Sequence, residues 1–315
     1  MQRISHEQEY IQIDRNFTSL IKFISCLMVA MSHYCGYALA NGLSSNILYK
    51  LIAANGGYVG VALFFFLSGY GLMTSERLKH LSVAEFFKRR LIKTYVPAVV
   101  VSAIWLCFAR FTNLSLLCNQ RYLRGVFWGF NDEVLWFVNS IILLYVAFRI
   151  YIFARQYIQK NQWLLLLIIG CLTYIFLKVF NIGSTLSVPI FFIGVAVAQY
   201  GKFIRSFILN KKTLFIALVI YLILLYFFRH DNYLLHGWCN YFVITLFIWI
   251  NCRWNITLPP MPKWIGACSY DLYLVHWKVH LAILYFCGVD RMWMFLLYTA
   301  IITIVFYNLR RLLRI

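Results

Sequence analysis

Two ionisable side chains lie within an apolar run near the start of the chain. In KFISCLMVAMSH, Lys22 to His33, ten residues separate a lysine from a histidine. Eleven steps of about 100° make three turns plus roughly 20°, so both residues lie on one helix face, about 16 Å apart. Imidazole titrates near neutral pH and is suited to deprotonating a hydroxyl. The structural alternatives are a neutral histidine bonded to a neighbouring helix and a lysine that reaches the membrane surface.

A second group of candidate residues is strongly basic. The stretch EFFKRRLIKTYVP, residues 85–97, contains Arg89, Arg90 and Lys93, and there are six cations between residues 77 and 93. Guanidinium and ammonium groups bind phosphates, which favours a phosphate-rich cytoplasmic ligand. Ordinary topology signalling by basic loops is the structural alternative.

A third group lies near the end of the chain, in SYDLYLVHWKVH, residues 269–280. His276 and His280 are four residues apart on one helix face, a spacing that allows two metal ligands. The stretch lacks the glutamate of an HExxH motif and offers no third ligand, so we expect no metal. A hydrogen-bond network through Asp271, His276 and Lys278 to other helices is the favoured interpretation. An active-site role for His276, in binding the substrate, is the alternative.

A shorter candidate region, NDEVLWFV, covers residues 131–138. Glu133 and Trp136 lie there at the predicted outer end of a helix. Solvated acids and an interface-anchoring tryptophan are the favoured interpretation. The functional alternative is an acid that orients His33 or contacts a sugar acceptor, with Trp136 as a second acceptor contact.

The composition indicates the elements that must position these groups. Of the 315 residues, 63% are hydrophobic and only 12% are charged, which is typical of a polytopic membrane protein. A spanning helix needs roughly 20 apolar residues. Ten segments qualify, which predicts an all-α bundle of about ten transmembrane helices in a single domain over residues 1–315. They are residues 17–40, 57–75, 95–110, 134–153, 162–180, 186–200, 213–229, 236–252, 267–287 and 291–309.

The charge pattern predicts the orientation of the bundle. The formal net charge of +19 would suggest nucleic acid binding in a soluble protein, but the basic residues lie mainly in short loops between apolar runs. Loops on the side of the termini carry most of them, so the positive-inside rule places both termini in the cytoplasm. We expect attraction to anionic lipid and no nucleic acid partner.

Glycines give two further expectations. Ser68-Gly69-Tyr70-Gly71 is typical of a close helix crossing, because small residues let helices approach. Gly56-Gly57 is interpreted as a local break near a helix end.

Five ordered motifs resemble the acyltransferase-3 family of integral-membrane O-acyltransferases over nearly the whole length. They are the Lys22-to-His33 pair, GYVGVALFFFLSGYGLM (57–73), FFKRRLIKTYVP (86–97), LWFVNSIILLY (135–145) and IGACSYDLYLVHW (265–277). Each is weak alone, but together and in order they are specific.

The resemblance implies transfer of an acyl group, usually acetyl, from cytoplasmic acyl-CoA to a sugar hydroxyl. For the oxyanion of such a transfer, Ser68 and Tyr70 are hydroxyl candidates on composition alone. It identifies His33 as the catalytic residue, with Lys22 at the same site, and it assigns the family's Arg-x-x-Arg donor motif to Arg90 and Lys93. Lys93 departs from that pattern and cannot make a bidentate phosphate contact, so Arg89 is included. The expected location is the bacterial inner membrane, with a cell-surface or lipid-linked glycan as acceptor. A transporter or flippase for a lipid-linked glycan is the alternative function.

Overall fold

The chain folds into α-helices throughout the part of it that the structure describes. The computed structural model describes residues 11–112, 136–180, 182, 185–228, 232–288 and 291–313. Over these ranges there are eleven α-helices and no strand, which confirms the all-α prediction. The helices are α1 Arg15–Ala40, α2 Ile47–Lys79, α3 Val83–Phe111, α4 Trp136–Ala154, α5 Gln162–Val179, α6 Val188–Gln199, α7 Gly201–Leu209, α8 Lys211–Phe228, α9 Asn232–Trp254, α10 Lys263–Cys287 and α11 Met292–Leu313. A 3₁₀ turn, Thr185–Ser187, precedes α6.

Six of the described helices, α1 to α5 and α11, are long and apolar enough to cross a membrane. The number rises to seven if α6 and α7, which meet at an angle of 102°, form one broken span. Each of the ten predicted segments overlaps a helix, but the total of ten spans and the cytoplasmic termini remain predictions. α10 falls outside the apolar set because Asp271, His276, Lys278 and His280 lower its hydropathy.

Side-chain caps fix where α1 and α3 begin. The carboxylate of Asp14 accepts a hydrogen bond of 2.8 Å from the backbone N–H of Phe17, which starts α1. The hydroxyl of Ser82 accepts a bond of 3.2 Å from the N–H of Glu85, so α3 begins well before the predicted residue 95. The basic stretch therefore lies on α3 itself, and its side chains have a helical arrangement.

α2 lies at the centre of the bundle, packed against α1 on one side and α6 on the other. A Cβ atom on Gly60 would lie 2.5 Å from the carbonyl oxygen of Ser25 in α1. A Cβ atom on Gly69 would lie 2.0 Å from the carbonyl oxygen of Phe191 in α6, and one on Gly194 would lie 2.2 Å from that of Phe66. The expected close crossing at Gly69 is confirmed.

The interpretation of Gly56-Gly57 as a helix break was wrong. Both glycines lie inside α2, where they face α1 at Met28 and Ser32. Their small size serves close packing between helices and does not end one.

The short helix α7 was not predicted. It turns away from α6 and exposes Phe203 and Phe207 beside Lys202 and Arg205, while Ile208 is buried. This arrangement is typical of an amphipathic helix in the membrane interface. Hydropathy over a spanning-length window does not detect such a short element.

Candidate active site

His33 lies where α1 packs against α10. Its Nδ1 atom is 3.0 Å from Nε2 of His276, although the two residues are 243 positions apart in the chain. The indole ring of Trp277 meets the His33 ring edge to face, with centroids 5.5 Å apart. His33 is therefore held on the interior side of α1 and does not face lipid.

Lys22 lies toward the start of α1 on the same helix face. It is partly buried, and its charge is close enough to that of Arg90 in α3 for the two to repel each other. The guanidinium of Arg90 lies 5.8 Å from the ring centre of Phe86 and 5.7 Å from that of Tyr145 in α4. Two cations from different helices thus converge in the interior.

The structure separates the three predicted donor-site cations. Arg90 is partly buried, whereas Arg89 and Lys93 are exposed. Arg89 forms an ion pair with Glu85 on the surface of α3. The phase of α3 explains the difference, because Arg90 shares a face with the buried residues Phe86 and Pro97.

A second arginine, which the sequence reasoning missed, contacts the same aromatic ring as Arg90. The guanidinium of Arg149 in α4 lies 5.2 Å from the ring centre of Phe86 and donates a bond of 3.1 Å to the carboxylate of Glu76 in α2. Arg149 and Glu76 lie near helix ends, where charged residues are common because they set the membrane topology. The sequence around them therefore gives no signal of a functional role. Arg149 is neutralised by Glu76. Over the described residues, no carboxylate lies within ion-pair distance of Lys22 or Arg90.

The polar residues of α10 connect it to three other helices. Asp271 is fully buried and pairs with Arg310 of α11, with Oδ1 to Nε at 2.7 Å and Oδ2 to the terminal nitrogen at 3.0 Å. The hydroxyl of Tyr270 donates a bond of 2.6 Å to the carbonyl of Thr94 in α3. With the His33 contact, these bonds form the interhelical network that the sequence predicted for Asp271 and His276.

Lys278 points to a different place from His276. Its ammonium lies 6.0 Å from the ring centre of Trp105 in α3, in an apolar cavity of about 540 Å³ between α3, α10 and α11. The described network therefore does not place Lys278 beside His33.

The structure describes one of the two predicted acceptor residues on α4 and before it. Glu133 lies outside the described residues. Trp136 opens α4 and packs on Phe137, with ring centres 6.2 Å apart, and Phe137 in turn contacts Tyr273 of α10 at 5.1 Å. Trp136 thus lies two aromatic contacts away from the helix that carries His276.

The hydroxyl of Tyr70 forms two hydrogen bonds with backbone groups. It accepts a bond of 3.0 Å from the N–H of Ile13 and donates one of 2.9 Å to the carbonyl of Ile11. Tyr70 therefore holds the segment before α1 and is a poor candidate for an oxyanion donor. In the described part of the chain, no group of three or more His, Cys, Asp or Glu side chains is arranged to bind a metal ion.

Comparison with known proteins agrees with these motifs. The chain matches the family described as acyltransferase domain, Acyl_transf_3, over residues 15–311. Separate searches of curated proteins and of solved structures found no significant match. The family match covers the helices that carry Lys22, His33, Arg90 and His276 and extends over nearly the whole chain. The protein therefore belongs to the acyltransferase-3 family, and it is a membrane-embedded acyltransferase.

Proposed function

We propose that this protein is an O-acyltransferase of the bacterial inner membrane. It moves an acyl group, acetyl as the first choice, from cytoplasmic acyl-CoA to a hydroxyl of a cell-surface or lipid-linked glycan. The observation that carries this proposal is the convergence of Lys22 and Arg90 from two helices on an interior face that also holds His33.

The two converging cations favour an anionic ligand. Lys22 and Arg90 repel each other, and no carboxylate among the described residues neutralises either of them. A buried cation that lacks a partner is costly, so such an arrangement is stable only when an anion or water occupies it. The phosphates of coenzyme A supply that charge, with Arg90 as a fork-shaped donor and Lys22 as a point charge.

Arg89 and Lys93 are proposed for the outer part of the donor. Both are exposed on the same helix as Arg90, where they contribute to electrostatic attraction of the highly charged nucleotide end. Their side chains reach solvent, so we expect each to contribute less than Arg90.

His33 is proposed as the general base. It lies about 16 Å from Lys22 along the helix axis, deeper in the bundle, and the extended pantetheine arm of the donor is suited to cover such a distance. His33 takes the proton of the acceptor hydroxyl as its oxygen attacks the thioester carbonyl carbon. The carbon–sulfur bond then breaks, and the proton passes to the thiolate. The products are the ester and free coenzyme A.

The acceptor end of the proposed site involves α4. Trp136 has the aromatic surface on which sugar rings stack, and Glu133 precedes it by three residues in the sequence. Both are proposed as acceptor contacts. Substitution of either residue would alter the KM for the glycan and leave donor binding unchanged.

The test of the proposed function is a transfer assay in membranes that contain the cell's own glycans. Acetyl-CoA labelled in the acetyl group is added, and both glycan-bound label and released coenzyme A are measured. We expect transfer by the wild-type protein and a loss of about 10²-fold to 10⁴-fold for His33→Ala, the range for removal of a general base. Protein abundance and retention on a coenzyme A resin serve as the controls.

Two outcomes would contradict the proposal. Full activity of His33→Ala would remove the base assignment. Glycan movement across the membrane with no consumption of acetyl-CoA would favour the transporter alternative, because a transporter needs neither the donor nor a base.

A further inference from the structure

The hydrogen bonds of His276 define which of its nitrogens carries a hydrogen. Nδ1 of His276 lies 2.6 Å from the backbone carbonyl oxygen of Tyr273, one helical turn earlier in α10. A carbonyl oxygen can only accept, so Nδ1 of His276 must be the donor. A neutral imidazole has one N–H, which leaves Nε2 of His276 as an acceptor.

The environment of His276 opposes a second proton on its ring. The side chain is fully buried in the bundle. Among the residues that the structure describes, no carboxylate lies within ion-pair distance of its ring. A charged imidazolium at position 276 would therefore be both desolvated and unpaired, which is unfavourable. The neutral form follows, with Nε2 as the acceptor.

This assignment extends to His33. Its Nδ1 atom lies 3.0 Å from the acceptor Nε2 of His276, so the Nδ1 of His33 must carry the hydrogen. The other ring nitrogen of His33, Nε2, then has a free lone pair. The edge of Trp277 against the His33 ring restricts rotation of the imidazole.

We propose that His276 is a positioning residue that fixes the tautomer of His33. A chain of two hydrogen bonds, from His33 to His276 and from His276 to the Tyr273 carbonyl, directs the lone pair of His33 Nε2 toward the acceptor hydroxyl. This role replaces the substrate-binding role predicted for His276. It rests on the proposed function, in which His33 is the base.

The test exchanges His276 for residues that differ in hydrogen bonding. Leucine removes the acceptor, glutamine offers an amide oxygen in a similar place, and glutamate offers a carboxylate. We expect His276→Leu to lower kcat about 100-fold with little change in the KM for acetyl-CoA, and His276→Gln to recover most of that loss. His276→Glu should move the acidic limb of the pH profile of kcat/KM to higher pH, because the carboxylate stabilises the imidazolium form of His33.

A purely structural role would give a different result. Equal losses in His276→Leu and His276→Gln, or an unchanged acidic limb in His276→Glu, would overturn the proposal. If the variants fold poorly, nitrogen-15 NMR of the histidine rings in the wild-type protein decides instead. The signal that disappears in His33→Gln should show hydrogen on Nδ1, and hydrogen on Nε2 would overturn the proposal.

The failure of this inference is distinguishable from failure of the proposed function. The NMR readout requires no substrate, so it reports the tautomer even if the wild-type protein transfers no acetyl group. Conversely, a wild-type protein that transfers acetyl, is inactivated by His33→Ala and tolerates every change at position 276 would contradict this inference alone.

Discussion

Arg90 differs from the neighbouring cations because it points into the bundle. Its guanidinium lies 5.8 Å from the ring centre of Phe86 and 5.7 Å from that of Tyr145, and its charge acts on Lys22. Aromatic faces hold a guanidinium in place without neutralising it, since cation–π contacts involve no net negative charge. Because no carboxylate among the described residues lies within ion-pair distance of Arg90, this cation is well suited to bind an incoming phosphate.

We predict that Arg90→Gln raises the KM for acetyl-CoA about 10-fold to 100-fold with a smaller effect on kcat. The reason is the loss of a charge-assisted bond to phosphate, worth about 1.5–3 kcal/mol. Lys160→Gln is the matched control, because Lys160 is an exposed cation of the loop between α4 and α5. Initial rates over a range of acetyl-CoA concentrations give both constants.

Lys22→Gln distinguishes the two interpretations of that lysine. Donor binding predicts a raised KM for acetyl-CoA, as in Arg90→Gln, whereas a lysine that only reaches the membrane surface predicts wild-type kinetics. Equal effects of Arg90→Gln and Lys160→Gln would contradict a specific phosphate contact and leave only general electrostatic attraction.

Some of the residue-level site could be predicted from the sequence. Lys22 and His33 share a helix face because eleven residues make almost three complete turns. The spacing of apolar residues along α3 indicates that Arg90 faces inward, because Arg90 lies four residues after Phe86 on the same helix face. The bond between His33 and His276 could not be predicted, because hydropathy does not specify which helices are neighbours and the residues are 243 positions apart.

At the level of helices, the position of the site depends on how closely α2 approaches its neighbours. α2 packs against α1, which carries Lys22 and His33, and against α6 on the other side. The backbones meet at glycines, where a methyl group would contact a carbonyl oxygen directly. A wider separation at these crossings would shift α1 relative to α10 and lengthen the histidine contact.

We predict that Gly69→Ala lowers the thermal stability of the protein and that Gly71→Ala does not. The new Cβ at position 69 would lie 2.0 Å from the carbonyl oxygen of Phe191, a backbone atom that cannot move without displacing α6. Overpacking of this kind costs about 1–3 kcal/mol. At Gly71 nothing lies within 4 Å of an added Cβ, and alanine is the better helix former.

The measurement is the melting temperature of purified protein in one detergent, for both variants and the wild type. Gly71→Ala controls for the general effect of exchanging a glycine within α2. Equal melting temperatures for the two variants would show that α2 and α6 are not in close contact at Gly69.

The sequence predicted the crossing at Gly69 but misinterpreted Gly56-Gly57. The same residue type favours a turn in water and close helix packing in a membrane. Gly56 and Gly57 lie inside α2 and face α1. A glycine pair within an apolar run can therefore be interpreted only when the helix that packs against it is known. The sequence alone does not identify that helix.

At the scale of the whole molecule, the proposed reaction requires that the two ends of the site face different environments. Lys22 and Arg90 lie toward the end of the bundle that the charge pattern places in the cytoplasm, where acyl-CoA is available. His33 lies further along α1, toward the opposite end. The orientation of the bundle thus determines whether the donor can reach its cations.

We predict that the loop between α1 and α2 is accessible from outside the cell and that the loop between α4 and α5 is accessible only from the cytoplasm. Ser45→Cys and Lys160→Cys place single thiols at exposed positions in these loops. Because all nine native cysteines are potential targets, they are first replaced by serine or alanine. In intact cells a membrane-impermeant thiol reagent should then label Ser45→Cys and not Lys160→Cys, whereas both should be labelled after the membrane is opened. Labelling of Lys160→Cys in intact cells would reverse the predicted orientation and would place Lys22 and Arg90 on the side without acyl-CoA, so the proposed donor site would fail with it.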